Sequence, residues 1–308
     1  MSFSQQTRLL VVAPHPDDET IATGLLIQQV LAAGGEVSVL LLTSGDNNPW
    51  PQRWLERRWR IGDVGRQRWG LRRHAEVVQA LRSLGVAESA LHSLAWPDLG
   101  VTDRLLRMPR QAVSAVADVI TAFRPSLIAF PALGDHHPDH SAAHVLVRLA
   151  LREHAETPQL LAYWVHGTRL SREGIEIHGT DAQRLGKRTA LSAHRTQLAL
   201  SRKRLYRLAD GPEQYVDVSD DALATSRLPW QPSVALRPWL RLSVVSSTGA
   251  QSFRWADAPL QRDDHGAYEF VSAAAGVCFV KLTLQVPSPW IFDHWGWCVQ
   301  LDRSQSRL

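Results

Sequence analysis

Short apolar runs alternate with longer stretches of helical spacing through the first two thirds of the chain, and this alternation restricts the fold more than any other feature. The runs RLLVVAP (8–14), EVSVLLLTSGD (36–46), ALHSLAW (90–96), SLIAFPAL (126–133) and QLLAYWVHG (159–167) read as buried strands. Between them, TIATGLLIQQVLAAGG (20–35), QRWGLRRHAEVVQALRSLGV (67–86), LLRMPRQAVSAVADVITAFRP (105–125) and HSAAHVLVRLALREH (140–154) read as helices, the first stopped by Gly34 and Gly35 and the third by Pro125. Strands and helices in this order imply an α/β fold, a Rossmann-like parallel sheet with helices on both faces and right-handed crossovers. A ligand site in such a sheet lies beyond the carboxyl ends of its strands.

From about Gly211 the helical period gives way to short runs such as ALRPWLRLSVV (235–245), QSFRWA (251–256) and GVCFVKLTLQV (276–286), separated by Gly, Pro and Asp. These read as a small antiparallel unit. The expected organisation is a body of residues 1–210 followed by a β-rich C-terminal extension, 211–308. A chain of 308 residues that is 44% hydrophobic and 21% charged is ordinary globular material of that size. Its first residues lack the pattern of a secretory signal, and no apolar stretch reaches the roughly 18 residues of a membrane span. A cytoplasmic location is the expectation. Cys278 and Cys298 are too few for a disulfide framework and lack CxxC spacing, so both are read as reduced.

Two tracts carry the chemistry. Pro14-His15-Pro16-Asp17-Asp18-Glu19 follows the first strand, and His136-His137-Pro138-Asp139-His140 follows the fourth. Both therefore belong at the same edge of the sheet. A hydrolytic metal centre needs three protein ligands drawn from His, Asp or Glu and one open position, and these tracts supply that set. It also needs an unligated carboxylate to take a proton from water and a donor to stabilise the oxyanion. Adjacent carboxylates at Asp17 and Asp18 allow one to face the metal and the other the water. The alternative is helix capping by Asp17 or Ser141, which gives no reason for two such tracts at one edge. No GxGxxG follows the first strand, so a glycine-rich nucleotide turn has no support, and nothing calls for nucleic acid as a partner.

The two tracts together resemble the paired signatures of the PIG-L/LmbE-like N-acetylglucosaminyl deacetylases. Thr43-Ser44-Gly45-Asp46, Arg73 to Glu76 followed by Leu84-Gly85-Val86, Trp96-Pro97-Asp98 and KRTALSAHRTQ (187–197) extend the similarity over roughly residues 8 to 205. The resemblance implies that His15, Asp18 and His140 bind zinc, with Fe2+ or Co2+ as ions the same ligands accept. It implies that Asp17 activates the metal-bound water, that His137 stabilises the oxyanion or serves as acid, and that Asp139 holds His137 from behind. Arg73 and Asp98 match positions that face the substrate. The implied activity is removal of an N-acetyl group from a GlcNAc-type sugar in a glycan, glycolipid or glycoside. The alternatives are deacetylation of a small thiol-pathway sugar conjugate and a catalytically silent glycan-binding protein. Glu19 reads as structural, and His74, His136, His144 and His194 as ordinary residues.

Between Arg53 and Arg73 eight arginines face only Glu56 and Asp63, and Trp50, Trp54, Trp59 and Trp69 are interleaved with them. A solvated face is the usual meaning of such a charge run. An anionic or lipid-linked substrate, or peripheral contact with the inner face of a membrane, is the sharper one. The tryptophans read first as an apolar anchor for the segment and second as a lid over a large glycan. In the extension, Trp239, Trp255, Trp290, Trp295 and Trp297 read as a small core, with carbohydrate binding, a cover for the cleft and a dimer contact as alternatives.

Overall fold

A computed structural model describes residues 1–152, 154, 157–167, 174–218, 227–246, 248–271, 278–286 and 291–300. In chain order these form β1 (Arg8–Ala13), α1 (Asp18–Ala32), β2 (Glu36–Thr43), α2 (Pro49–Glu56), α3 (Asp63–Ser83), β3 (Leu91–Trp96), α4 (Val101–Arg107), α5 (Pro109–Phe123), β4 (Leu127–Pro131), α6 (Pro138–Leu151) and β5 (Gln159–Tyr163). Then follow β6 (Ile175–Ile177), α7 (Asp181–Ala193), α8 (Arg195–Asp210), β7 (Glu213–Asp217), β8 (Leu240–Ser246), β9 (Gly249–Arg254), β10 (Leu260–Arg262), β11 (Tyr268–Phe270), β12 (Cys278–Leu284) and β13 (Gly296–Gln300).

The large sheet runs in the order β3-β2-β1-β4-β5-β7-β6. Its first five strands are parallel, with Leu9 opposite Val37 on one side and Leu127 on the other. Because side chains alternate across a strand, Leu10 and Val12 of β1 join Ile128, Phe130 and the helices α4, α5 and α6 on one face. Leu9, Val11 and Ala13 join Val39, Leu127, Ala129 and residues of α1, α3 and α7 on the other. A strand buried on both sides must be apolar at every position, which is why RLLVVA carries no alternation. The sequence order reverses between β1 and β4, and their carboxyl ends diverge there to leave a crevice.

Three expectations change in detail. The helix expected over 105–125 is two: Pro109, which has no N–H and clashes with a preceding turn, starts α5 and leaves Met108 outside the helical region at φ −135°. The sequence after Gly211 does not leave the large sheet at once, since β7 pairs antiparallel with both β5 and β6. The extension is also more than an appendage. Its four-stranded sheet, β13-β12-β8-β9, has a core of its own around Trp230, Trp255 and Tyr268, yet Val245, Phe279 and Trp297 pack into the core over α4, α5 and α6. Trp255 and Trp297 are buried, Trp239 is exposed, and Trp290 lies outside the described residues.

Candidate active site

The crevice between β1 and β4 opens into a cavity of about 560 Å³ bordered by His15, Asp17, Asp18, Arg73, Asp98 and His137. The chain brings both tracts there by the same device, a strand that ends and a helix that begins immediately. Asp18 and Glu19 are the first residues of α1 and Pro138 the first of α6. Asp17 precedes α1 but makes no capping hydrogen bond, and at α6 the cap is His137, whose Nδ1 accepts from the Asp139 N–H at 3.2 Å. Capping therefore does not account for Asp17 or Ser141.

Three donor atoms close a small triangle: His15 Nδ1 lies 3.2 Å from His140 Nε2 and 3.3 Å from Asp18 Oδ2, and Asp18 Oδ2 lies 3.1 Å from His140 Nε2. Ligands about 2.0 Å from a tetrahedral ion stand about 3.3 Å from one another, so the spacing fits a metal held on one open side. The field fits as well. Burial opposes a charge on His140, yet Asp18 and Asp135 raise its pKa to about 9. Burial opposes it on His15 too, and Asp98, Asp139 and Asp18 lift that pKa well above the usual value. Carboxylates exceed fixed cations here, and a divalent ion answers the same excess. Two further donor groups share His15, one with His137 and His140 and one with Asp98 and Asp139. The latter is approached through Nε2, the nitrogen His15 turns away from the triangle.

Each histidine of the triangle is backed by carboxylates, the arrangement that fixes the tautomer of a metal-binding imidazole. His15 Nε2 is 3.2 Å from both Asp139 Oδ2 and Asp98 Oδ1. His140 Nδ1 is 3.2 Å from Asp135 Oδ2. Asp139 was expected to support His137, and only its backbone does so. Its carboxylate instead supports His15 and accepts the N–H groups of Leu99 at 2.8 Å and Val101 at 3.0 Å, at the start of α4 where backbone donors have no partner within the helix. Asp135, absent from the sequence expectations, accepts from the N–H groups of His137, Val165 and His166 while it faces His140.

Asp17 stands beside the triangle with a backbone φ of 128°, outside the regions an aspartate prefers. Its N–H donates to Glu19 Oε2 at 3.0 Å, and Glu19 Oε1 is held by Thr20 Oγ1 at 2.7 Å and His194 Nε2 at 3.0 Å. From the other side Arg73 donates through Nη2 to the Pro16 carbonyl at 2.5 Å and through Nη1 to the Gly45 carbonyl at 2.9 Å, with Asp17 Oδ1 at 3.4 Å. The Gln197 amide lies 3.1 Å from Arg73 Nε and Nη2, and its oxygen is assigned to that side because both neighbours are donors. Gly45 has no substitute: it sits at φ 61°, and a Cβ there would come within 2.1 Å of Arg73 Nη1. Burial raises the Asp17 pKa to about 7 against the pull of Arg73.

Arg73 and Asp98 thus border the cavity with most of their hydrogen-bonding capacity already engaged by the protein. Arg73 clamps the two strand-end loops, and Asp98 orients His15. His194, read as ordinary, belongs to the support of Asp17. His166, from the end of β5, lies against His137 and His140 with ring centroids 5.3 Å and 5.0 Å away, and burial holds its pKa down at about 3. A histidine in the first residues after a parallel strand was the signal available for it, as the Asp preceding His136-His137 was for Asp135. No such signal existed for Phe292 of the C-terminal extension, whose ring stands 5.3 Å from His166 and 6.0 Å from His137. Burial and the neighbouring imidazoles hold His137 neutral, and with Nδ1 accepting from a backbone N–H its proton sits on Nε2.

Residues 10–151, from β1 to the end of α6, match the family model PIG-L, described as GlcNAc-PI de-N-acetylase. That match takes in somewhat less than half of the chain. A 1D-myo-inositol 2-acetamido-2-deoxy-alpha-D-glucopyranoside deacetylase of Mycolicibacterium paratuberculosis is 36% identical over 152 residues, 45% of this chain and 49% of that protein. The chain thus spans about half the length of the curated relatives it matches. Among solved structures, a deacetylase of the teicoplanin biosynthetic pathway superposes with a TM-score of 0.54 at 19% identity, covering 70% of this chain and 100% of the other. The N,N'-diacetylchitobiose deacetylase of Pyrococcus horikoshii does so with 0.54 at 17% identity, over 69% and 84%. Both likenesses concern the fold. The matched segment holds His15, Asp17, Asp18, Arg73, Asp98, Asp135, His137, Asp139 and His140, whereas His166, His194 and Phe292 come from beyond it.

Proposed function

We propose that the chain is a metal-dependent N-deacetylase that releases acetate from a GlcNAc-type sugar. The observation that carries this reading is the triangle of His15, Asp18 and His140 donors with an unligated, buried carboxyl, Asp17, beside it. Two histidines and one aspartate suit zinc, our choice of ion, though Fe2+ and Co2+ accept the same set. When bound, the ion supplies Lewis-acid polarisation of the acetamide carbonyl and lowers the pKa of water.

The rest falls to this chain's own residues. Asp17, with a pKa near neutrality, takes one proton from water as the water oxygen bonds to the acetamide carbon. His137 donates its Nε2 proton as a hydrogen bond to the carbonyl oxygen as charge develops there. The C–N bond then breaks, Asp17 returns its proton to the departing nitrogen, and the products are the amino sugar and acetate. Arg73 and Glu19 hold Asp17 in its strained conformation throughout, so the base needs no reorganisation. The cavity volume of about 560 Å³ suits a disaccharide-sized glycoside, which favours a small conjugate, such as the inositol glycoside in the relative's name, over a polymer.

Acetate release from free GlcNAc, an inositol glycoside of GlcNAc, a chitooligosaccharide and a lipid-linked GlcNAc tests the reading, with metal content measured alongside. Turnover by the metal-loaded chain, lost in Asp17→Asn with metal retained, is the expected result. A chain with neither turnover nor stoichiometric metal removes the proposal.

A further inference from the structure

Of the four tryptophans in the arginine-rich segment, Trp69 is fully buried and anchors α3, while Trp50, Trp54 and Trp59 are 62%, 67% and 79% exposed. Trp50 and Trp54 stand one turn apart on α2, and the Arg53 guanidinium lies 5.1 Å from the Trp50 ring and 5.6 Å from that of Trp59. Gln52 donates to the Gly65 carbonyl at 2.8 Å, and Arg68 pairs with Glu56 at 2.6 Å. These bonds join α2 to the first turns of α3, where Val64 and Leu71 are also exposed, at 76% and 73%. Large apolar side chains gathered this closely on a water-facing surface mark a contact site.

The charge on the surface selects the partner. Among the described residues Arg57, Arg58, Arg60 and Arg66 form no ion pair, and the nearby carboxylate of Glu56 is already taken by Arg68. We infer that this surface docks the chain on an anionic lipid bilayer. Arginines would meet lipid phosphates while tryptophan rings settle at headgroup depth, the zone that suits an aromatic body with a polar N–H. Single-stranded nucleic acid also pairs arginine with aromatic rings, but it offers nothing to exposed aliphatic side chains such as Leu55, Val64 and Leu71. No helix among the described residues is long and apolar enough to cross a membrane, so the contact is peripheral. Trp50 lines both this surface and the cavity, which would turn the mouth of the site toward the lipid.

The inference does not depend on the deacetylase reading, and neither does its test. The full chain is sedimented with phosphatidylcholine vesicles and with vesicles containing about one third phosphatidylglycerol, at low and at high salt. Trp54→Ala with Trp59→Ala, and Arg57→Glu with Arg58→Glu, are compared with wild type after thermal unfolding shows each pair folded. Expected is binding to the anionic vesicles that weakens with salt, falls roughly tenfold or more with the arginine reversals and severalfold with the tryptophan pair. Equal affinity for neutral and anionic vesicles, or wild-type affinity in both double variants, overturns it. So does an absence of vesicle binding, whether or not an oligonucleotide or a chitooligosaccharide binds instead.

Discussion

The floor of the site and its walls are built in opposite ways. The floor consists of two short segments, His15 to Glu19 and Asp135 to His140, each fixed by a strand that ends and a helix that begins at once. The walls come from places remote in sequence: Asn47 to Trp50 before and within α2, His166 after β5, and Ile291 and Phe292 from the C-terminal extension. The floor gathers the candidate ligands, base and donor at two adjacent strand ends. The walls add volume and apolar surface. Reaction chemistry tolerates little displacement and so is confined to a few rigid strand ends, whereas the choice of substrate can be made by any segment long enough to reach the mouth.

If this division is right, damage to the floor costs turnover and damage to the walls costs binding. The largest effect is expected for Asp17→Asn, which keeps the shape of the side chain and removes its basicity. A loss of roughly 10²–10⁴ in kcat is expected, with metal content unchanged by elemental analysis. Retention of more than about a tenth of the activity would place the base elsewhere. Next comes Asp135→Asn. The carboxylate behind His140 fixes that ring, so metal affinity measured by chelator competition should fall about 10–100-fold, with folding kept. An unchanged affinity would mean that the three backbone N–H groups, and not His140, are what Asp135 serves.

These two residues also mark how far the sequence could be read. Five apolar runs gave five parallel strands because a strand buried on both faces leaves an unmistakable apolar signature, and both tracts lay directly at strand ends. Asp17, Asp18, His15, His137 and His140 were therefore visible as a group. Asp135 was not, because a single aspartate after a strand is also an ordinary loop residue. Nor were the tasks of Arg73, Asp98 and Asp139, since the direction in which a side chain spends its hydrogen bonds depends on loops that only the folded chain brings together. His194 and Phe292 were less legible still. His194 lies in a run marked only by the resemblance over 187–197, Phe292 comes from an element whose sequence carries no mark of its destination, and the short runs after Gly211 showed strands without showing that their sheet would pack onto α4, α5 and α6.

The wall prediction follows from that last point. Phe292 is fixed from the extension by the Asp293 N–H, which donates to the His136 carbonyl at 2.8 Å, and by the buried ion pair of Lys281 with Asp293. Phe292→Ala should raise KM about tenfold and change kcat much less, since an apolar wall holds substrate and transition state alike. A change in kcat alone would assign the ring to orienting His137 and would blur the distinction between floor and wall. Proportional rescue by Phe292→Leu, an apolar side chain of smaller volume, would sharpen it.

The smallest effect tests whether the floor is held at a cost in stability. Asp17 combines a φ of 128° with a carboxyl that burial shifts from 3.8 to about 7. In metal-free protein at about pH 4 or below, the carboxyl is largely protonated in the folded chain and becomes so in the unfolded one, and the backbone strain dominates. Glycine relieves that strain, worth about 1–3 kcal/mol, and returns part of it through the greater freedom of the unfolded chain. Asp17→Gly should therefore be more stable than wild type by about 1 kcal/mol in denaturant unfolding. As pH rises from about 4 toward 7 the unfolded wild type releases its proton before the folded chain does, so wild-type stability falls and the gap should widen. A variant less stable than wild type at both ends of this range would mean that Glu19 and Arg73 more than compensate the conformation they impose, and that the base is held in place without stored strain.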